Sequence, residues 1–196
     1  MLIGLIRHGI TDWNAVGRIQ GASDIPLNAE GREQAKQLAN RLMNEEYRWD
    51  FVITSSLSRA RETGEIIARL LDIPVLEPDS RIIERSFGKL EGITLEERVT
   101  RWGEDWELKD LGQESKEEVR ARALAFMDDM ARQFTDKNIL VVSHGGLLAQ
   151  LYLALYADKH KERIGNLSLT ILKRVTTSWE LELYNCTRHL LPKTSK

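Results

Sequence analysis

Three short apolar runs, each followed at once by polar residues, constrain the fold of this chain most. Residues 2–7 (LIGLIR) lead into His8, residues 51–53 lead into a pair of serines, and residues 139–142 lead into His144. A run of four to six apolar residues that ends this abruptly is typical of a buried strand. In a parallel sheet the carboxyl ends of the strands share one edge, and ligands bind outside that edge. The sequence therefore predicts that these polar clusters meet.

Helical patterns separate the apolar runs, which indicates alternating strands and helices. Asn28 is a suitable N-cap, and Ser115 with Glu118 forms a capping box. We expect an α/β fold: a three-layer sandwich in which helices cover both faces of a mainly parallel sheet. Predicted helices cover 29–47, about 58–71, 95–108, 116–134 and 146–156; further strands cover 73–76, 167–173 and 178–184, and 79–93 is an ordered loop.

Length and charge exclude several classes of protein. At 196 residues the chain suits one domain, expected over 1–196. The formal net charge of -2 gives no general attraction to nucleic acid or to an anionic membrane, so a bound anion needs a local cationic cluster. No apolar run is long enough to span a bilayer, no leader pattern opens the chain, and Cys186 is the single cysteine. We expect a cytoplasmic protein; its oligomeric state stays open.

The residues at the predicted edge fit the chemistry of a phosphate group. Arginine offers a planar fork of donors that matches phosphate oxygens, and Gly145 before a helix allows close approach to free N–H groups. A neutral imidazole beside such a cluster can attack phosphorus and form a covalent intermediate. A carboxylic acid would then protonate the leaving alkoxide. Glu84 is the best candidate for this acid, and Glu91 in the same loop is its competitor.

An ordered series of motifs carries a resemblance to a known family. The series runs from Arg7-His8-Gly9 through Gln20-Gly21, Ser55-Ser56 with Arg59, Glu84 with Phe87-Gly88, and Glu91-Gly92 to Ser143-His144-Gly145-Gly146. It resembles the histidine phosphatase superfamily, which has the phosphoglycerate-mutase-like fold. The match follows the same order along nearly the whole chain, to about residue 150.

The resemblance implies a role for each matching residue. His8 would be the nucleophile that becomes phosphohistidine, and Glu84 the general acid that later activates water. Arg7, Arg59 and His144 would complete the phosphate pocket. The implied substrate-binding residues are Asn14, Gln20, Gly21, Ser115 and Gly145. A small phosphate ester would be the substrate, without a metal or another cofactor. The pocket wall would come from residues 18–24, the loop around 84–93, and the helix that contains Trp102 and Trp106.

Members of this family are phosphatases, mutases or non-catalytic binding modules, and three alternatives therefore stay open. A cofactor-dependent phosphoglycerate mutase is disfavoured because Ile10 and Thr11 stand where mutases usually have Glu and Ser, and because the segment 92–115 is short. A turnover assay would distinguish a non-catalytic binding module from an enzyme. A metallophosphatase, for which no metal-ligand motif is present, would be separated by its sensitivity to chelators. A phosphomonoester hydrolase is the favoured function.

Overall fold

A five-stranded mixed sheet forms the centre of the protein, seen in a computed structural model that describes residues 1–157 and 159–190. The strands are β1 (Leu2–Arg7), β2 (Phe51–Thr54), β3 (Ile139–Ser143), β4 (Leu169–Val175) and β5 (Ser178–Cys186). They lie in the order β2-β3-β1-β4-β5. The first three strands pair in parallel, whereas β4 and β5 pair antiparallel to their neighbours. The predicted α/β class is confirmed, and the sheet is mixed because the last two strands turn back.

The pairing of β1 with β3 positions the candidate site. These strands are fully or nearly buried along their length, and their register ends with Arg7 opposite Ser143. The next residue on each strand is a histidine, so His8 and His144 leave the same edge of the sheet side by side. This arrangement confirms the convergence that the sequence predicted.

The described residues form six α-helices, and two hydrophobic cores hold four of these helices to the faces of the sheet. One core contains apolar residues of α5 and α6, and the other contains those of α2 and α3. Packing of this kind stabilises a helix more than its own propensity does. The helices are α1 (Asp12–Ala15), α2 (Ala29–Met43), α3 (Ser58–Leu71), α4 (Leu95–Trp102), α5 (Lys116–Gln133) and α6 (Gly145–Leu155), with short 3₁₀ turns at 80–82, 88–90, 106–108 and 188–190.

Three predicted elements differ from the observed ones by more than two residues, and each has a local reason. The segment 73–76 forms only a single bridge, between Val75 and Val52, because Pro74 has no N–H to continue a ladder. The helix predicted over 95–108 ends at Trp102, since Gly103 turns the chain at a φ of 83°. The helix predicted to 47 ends at Met43, since Asn44 caps it and donates its backbone N–H to the carbonyls of Arg41 and Leu42.

No helix among the described residues is both long and apolar enough to cross a bilayer. The predicted domain 1–196 includes residues 158 and 191–196, which lie outside the part of the chain described here.

Candidate active site

His8 lies buried at the end of β1, with its ring fixed by the chain itself. Its Nδ1 is 2.7 Å from the carbonyl oxygen of Gly9. A carbonyl only accepts, so Nδ1 carries the proton and donates it, and Nε2 keeps its lone pair. Burial, together with the nearby cations Arg7 and Arg59, holds the pKa of His8 well below its ordinary value. The imidazole is therefore neutral at neutral pH, and its nucleophilic nitrogen is free.

His144 stands beside His8, with ring centroids 5.1 Å apart and an angle of 55° between the planes. Its Nε2 is 2.8 Å from Oγ of Ser55, which follows β2. Its Nδ1 is buried without a partner among the described residues. Burial and then the neighbouring His8 and arginines lower the pKa of His144 well below its ordinary value. The ring is thus neutral, and one of its nitrogens is available for a ligand.

Two buried arginines bring positive charge to the histidines, and backbone carbonyls orient both of them. Arg7 donates from Nη1 to the carbonyl of Ile164 at 2.7 Å. Arg59, at the start of α3, donates from Nη1 to Ser23 and from Nη2 to Gly21, each at 2.7 Å. In both side chains Nε is buried and unpartnered among the described residues. Each guanidinium therefore keeps donor capacity for an anion.

Burial is also the largest effect on the pKa values of these two arginines. It lowers the pKa of Arg7 to about 10, although Glu84 acts in the opposite direction. It lowers the pKa of Arg59 as well, against the opposing effects of Glu84, Asp24 and Glu91. Both side chains remain cationic at neutral pH. Burying a cation is unfavourable unless it is paired with an anion. A bound dianion would therefore offset the unfavourable free energy of burying these two guanidinium groups.

The N-terminus of α6 presents backbone N–H groups at the same edge, and the carboxylate of Glu84 accepts hydrogen bonds from two of them. Its Oε2 accepts from N of Gly146 at 3.0 Å and its Oε1 from N of Leu147 at 2.9 Å. A Cβ at position 146 would lie 2.6 Å from Oε1 of Glu84, and one at Gly145 would lie 3.1 Å from Nε of Arg7. Glycine at both positions therefore lets the carboxylate and the guanidinium approach the helix.

Glu91, the competing carboxylate, faces a different set of donors. Its Oε1 accepts from N of Ala22 at 3.0 Å and from N of Phe87 at 2.9 Å, while its Oε2 accepts from N and Oγ of Ser23 at 3.0 and 2.5 Å. Partial burial alone would raise its pKa, but these hydrogen bonds hold it below the ordinary value. Glu91 therefore joins the loop 20–24 to the loop 84–93 and supports the carbonyls that hold Arg59.

One cavity of about 510 Å³ gathers most of the predicted site residues. Its lining includes Arg7, His8, Arg59 and Glu84, together with the predicted substrate-binding residues Asn14, Gln20, Gly21 and Gly145. His144 is fully buried behind the lining. Ser115 does not line the cavity: its Oγ caps α5 by accepting from N of Glu118 at 3.1 Å. The cavity also contains Arg18, which belongs to the predicted wall segment 18–24, and three cations that the sequence analysis did not name: Arg98, Lys161 and Arg163.

No signal in the sequence marked Arg98, Lys161 or Arg163 individually, because a charged residue on a helix or a loop is usually solvated. Among the residues that the structure describes, no three side chains of the His, Cys, Asp or Glu type come together as metal ligands. Positive charge at this edge comes instead from guanidinium groups and a helix N-terminus. Such a combination is suited to a phosphate group and to charge that develops on its oxygens.

The fold and this geometry define an α/β protein in which two histidines and two arginines gather at one edge of the sheet, a combination of side chains suited to binding phosphate. The sequence profile of the histidine phosphatase superfamily (branch 1) matches residues 3–187. The chain belongs to this superfamily.

Relatives and solved structures agree with this membership. The chain is 33% identical over 189 residues to an uncharacterized phosphatase PhoE of Bacillus subtilis, covering 95% of each chain. It is 31% identical over 197 residues to a metal-independent phosphoserine phosphatase of Arabidopsis thaliana, covering 96% of this chain and 82% of the relative. The structure of Bacillus stearothermophilus YhfR superposes with a TM-score of 0.85 at 27% identity, covering 96% of this chain and 98% of the other.

Proposed function

We propose that this protein is a phosphomonoester hydrolase that acts on small phosphorylated metabolites through a phosphohistidine on His8. The observation that carries the proposal is the hydrogen bond from Nδ1 of His8 to the Gly9 carbonyl. It leaves the lone pair of Nε2 for attack, and burial among cations keeps the ring neutral. Membership of the histidine phosphatase superfamily supports the same chemistry.

In the first step Nε2 of His8 attacks phosphorus as the bond to the ester oxygen breaks. Arg7 and Arg59 stabilise the charge on the transferring phosphoryl oxygens, and His144, whose Nδ1 has no hydrogen-bond partner among the described residues, binds one of them. Asn14, in the lining of the cavity, adds a further donor. Glu84, in its protonated form, gives its proton to the leaving alkoxide, so that an alcohol departs.

In the second step water attacks the phosphohistidine. Glu84 takes a proton from this water as the oxygen–phosphorus bond forms, and the bond between phosphorus and Nε2 of His8 breaks. Inorganic phosphate then leaves, and the neutral imidazole is restored. The guanidinium groups supply the positive charge for both steps, so we propose that the reaction needs no metal. We also propose that the protein acts in the cytoplasm as one domain.

Trapping of the covalent intermediate tests the proposal directly. After rapid quenching without acid, label from a phosphate-labelled substrate should appear on His8, stable in alkali and labile in acid. His8→Ala should take up no label and should lose turnover. Label on His144, or normal turnover by His8→Ala, would show that the nucleophile has been misassigned.

A leaving-group comparison tests the role of Glu84. An alkoxide needs a proton to depart, whereas p-nitrophenolate needs little help. Phosphorylation of His8 by an alkyl phosphate should therefore fall by roughly 10²–10⁴-fold in Glu84→Gln, the range for a lost general acid. The same step with p-nitrophenyl phosphate should fall much less, and a burst of p-nitrophenol should precede slow turnover. Equal losses with both substrates in single-turnover experiments would contradict proton donation by Glu84.

The mutase alternative predicts a different product. The segment between Gly92 and Ser115 contains only α4 and one 3₁₀ turn, which leaves little chain to shield a phosphohistidine from water. We expect phosphate release from simple monoesters without added 2,3-bisphosphoglycerate. Interconversion of phosphoglycerates with negligible hydrolysis would identify a mutase instead, and absence of any turnover would leave the binding module.

A further inference from the structure

The side-chain amide of Asn185, on the edge strand β5, contacts the backbone on both sides of Ile164. Its Nδ2 donates to the carbonyl of Arg163 at 3.0 Å, and its Oδ1 accepts from N of Gly165 at 3.0 Å. A backbone carbonyl only accepts and a backbone N–H only donates, so these two partners permit a single orientation of the amide. Asn185 therefore holds the two peptide units that flank Ile164.

The second of these peptide units also contacts the candidate active site. The carbonyl of Ile164 accepts from Nη1 of Arg7 at 2.7 Å, and the N–H of Gly165 belongs to the same planar peptide unit. A hydrogen bond at one end of this plane limits the rotation that would turn the other end away. Hydrogen bonds in such a chain also polarise one another, so the bond to Asn185 strengthens the bond to Arg7.

The backbone of β5 is irregular where it carries Asn185. The register between β4 and β5 shifts between Leu169 and Ile171, where β5 has one more residue than β4. Asn185, within this bulge, has a φ of 42°, in the left-handed region that asparagine adopts more readily than most residues. Its backbone N–H donates to Oγ1 of Thr170 at 2.9 Å. Bulges re-aim single side chains and are frequent beside active sites, which agrees with the direction of the Asn185 amide.

From these contacts we infer that Asn185 is a positioning residue, which orients Arg7 through the peptide unit that joins Ile164 to Gly165. Arg7 is buried, and its Nε has no hydrogen-bond partner among the described residues, so the bond from Nη1 to Ile164 decides where this free donor points. Asn185 itself does not line the cavity. The inference rests on the proposed function, in which Arg7 binds the transferring phosphoryl group.

Replacement of Asn185 by glycine removes the amide but keeps the backbone conformation, since glycine accepts a positive φ. Vanadate occupies the place of the phosphoryl group, so its dissociation constant reports on Arg7 without turnover. We expect this Kd, measured by calorimetry, to rise about three- to tenfold in Asn185→Gly, the factor that one neutral hydrogen bond contributes. The kcat/KM should fall by the same factor with p-nitrophenyl phosphate and with an alkyl phosphate, because Arg7 contacts the phosphoryl group common to both. A fraction of unfolded protein would lower kcat and leave the Kd unchanged.

Two comparisons separate this role from a general effect on β5. Thr176→Gly is the matched control, because Thr176 also has a positive φ, of 50°, but lies exposed in the turn between β4 and β5. It should keep the Kd of the unchanged protein. In an Arg7→Ala background, Asn185→Gly should reduce kcat/KM by less than about twofold, since the group that it positions is absent.

An unchanged Kd in Asn185→Gly, or equal losses of kcat/KM in the two backgrounds, would overturn the inference while the unchanged protein continued to hydrolyse phosphate esters. Absence of phosphomonoester hydrolysis by the unchanged protein would overturn the proposed function instead, and the vanadate measurements would still decide the role of Asn185.

Discussion

Replacement of Glu91 by glutamine should weaken catalysis through Arg59, although Glu91 does not line the cavity. The carboxylate accepts four hydrogen bonds, two on each oxygen, from Ala22, Ser23 and Phe87. The carbonyls of Gly21 and Ser23, within the same loop, orient the guanidinium of Arg59 at 2.7 Å. The glutamine amide has one oxygen, which accepts hydrogen bonds, and one NH₂ group, which only donates them. The NH₂ group would therefore face two hydrogen-bond donors and could accept from neither.

The expected loss follows from the hydrogen bonds that glutamine cannot make. A hydrogen bond to a charged group contributes about 1.5–3 kcal/mol net. If the loss of one such bond is transmitted to Arg59, kcat/KM with p-nitrophenyl phosphate should fall by about 10- to 150-fold, at about 1.4 kcal/mol for each factor of ten. Inhibition by vanadate should weaken in parallel, because vanadate binds as an analogue of the transferring phosphoryl group.

A double-mutant cycle separates positioning from a general structural effect. In an Arg59→Ala background, Glu91→Gln should reduce kcat/KM by less than about twofold, since the group it positions is already absent. Glu118→Gln is the matched control, because its carboxylate also accepts from the N and Oγ of a serine, Ser115, at 2.9 and 2.7 Å, at the start of α5. It should leave kcat/KM unchanged. Equal losses from Glu91→Gln in both backgrounds would refute the coupling to Arg59.

Three further predictions concern the same edge of the sheet. Gly146→Ala should reduce kcat/KM strongly, because its Cβ would meet Oε1 of Glu84 at 2.6 Å; steady-state kinetics equal to the unchanged protein would contradict this contact. The free energy of unfolding, measured in urea, should fall as the pH decreases below about 6.5. In that range His8 and His144 become protonated in the unfolded chain, whereas their lowered pKa values keep both neutral in the folded protein. Each should contribute up to about 1.4 kcal/mol per pH unit, and His144→Gln should reduce the slope; an unaltered slope would oppose this explanation. Activity should survive EDTA and be inhibited by vanadate, whereas a loss that one divalent ion restores would indicate a metallophosphatase.

The sequence predicted the parts of the site that follow directly from strand ends. Arg7 is the last paired residue of β1, and His8 and His144 directly follow the last paired residues of β1 and β3, so the apolar runs alone were enough to place them together. Gly145 and Gly146, which open α6, were predictable for the same reason, because they directly follow His144 in the sequence.

Residues on loops and on the sides of helices were harder to place. Arg98 looks like an ordinary solvated arginine in sequence, and only the packing of α4 against the cavity shows that it is buried. Ser115 matched a family segment, but its hydroxyl caps α5. The direction in which the Glu91 side chain points depends on the conformations of the loops 20–24 and 84–93. Neither loop has a periodic sequence pattern from which its conformation could be predicted. These features arise from tertiary contacts, which local preferences do not determine.

The register between β1 and β3 also sets when the site can exist during synthesis. His8 emerges from the ribosome well before its partner His144, which lies 136 residues later in the sequence. Because β3 lies between β1 and β2, the two earlier strands have no shared neighbour until residues 139–143 are available. Pairings this distant in sequence form late, since a long loop must close first. An incomplete chain would therefore carry the nucleophile without the pocket, and neither a stalled nascent chain nor an early proteolytic fragment should hydrolyse cellular phosphate esters.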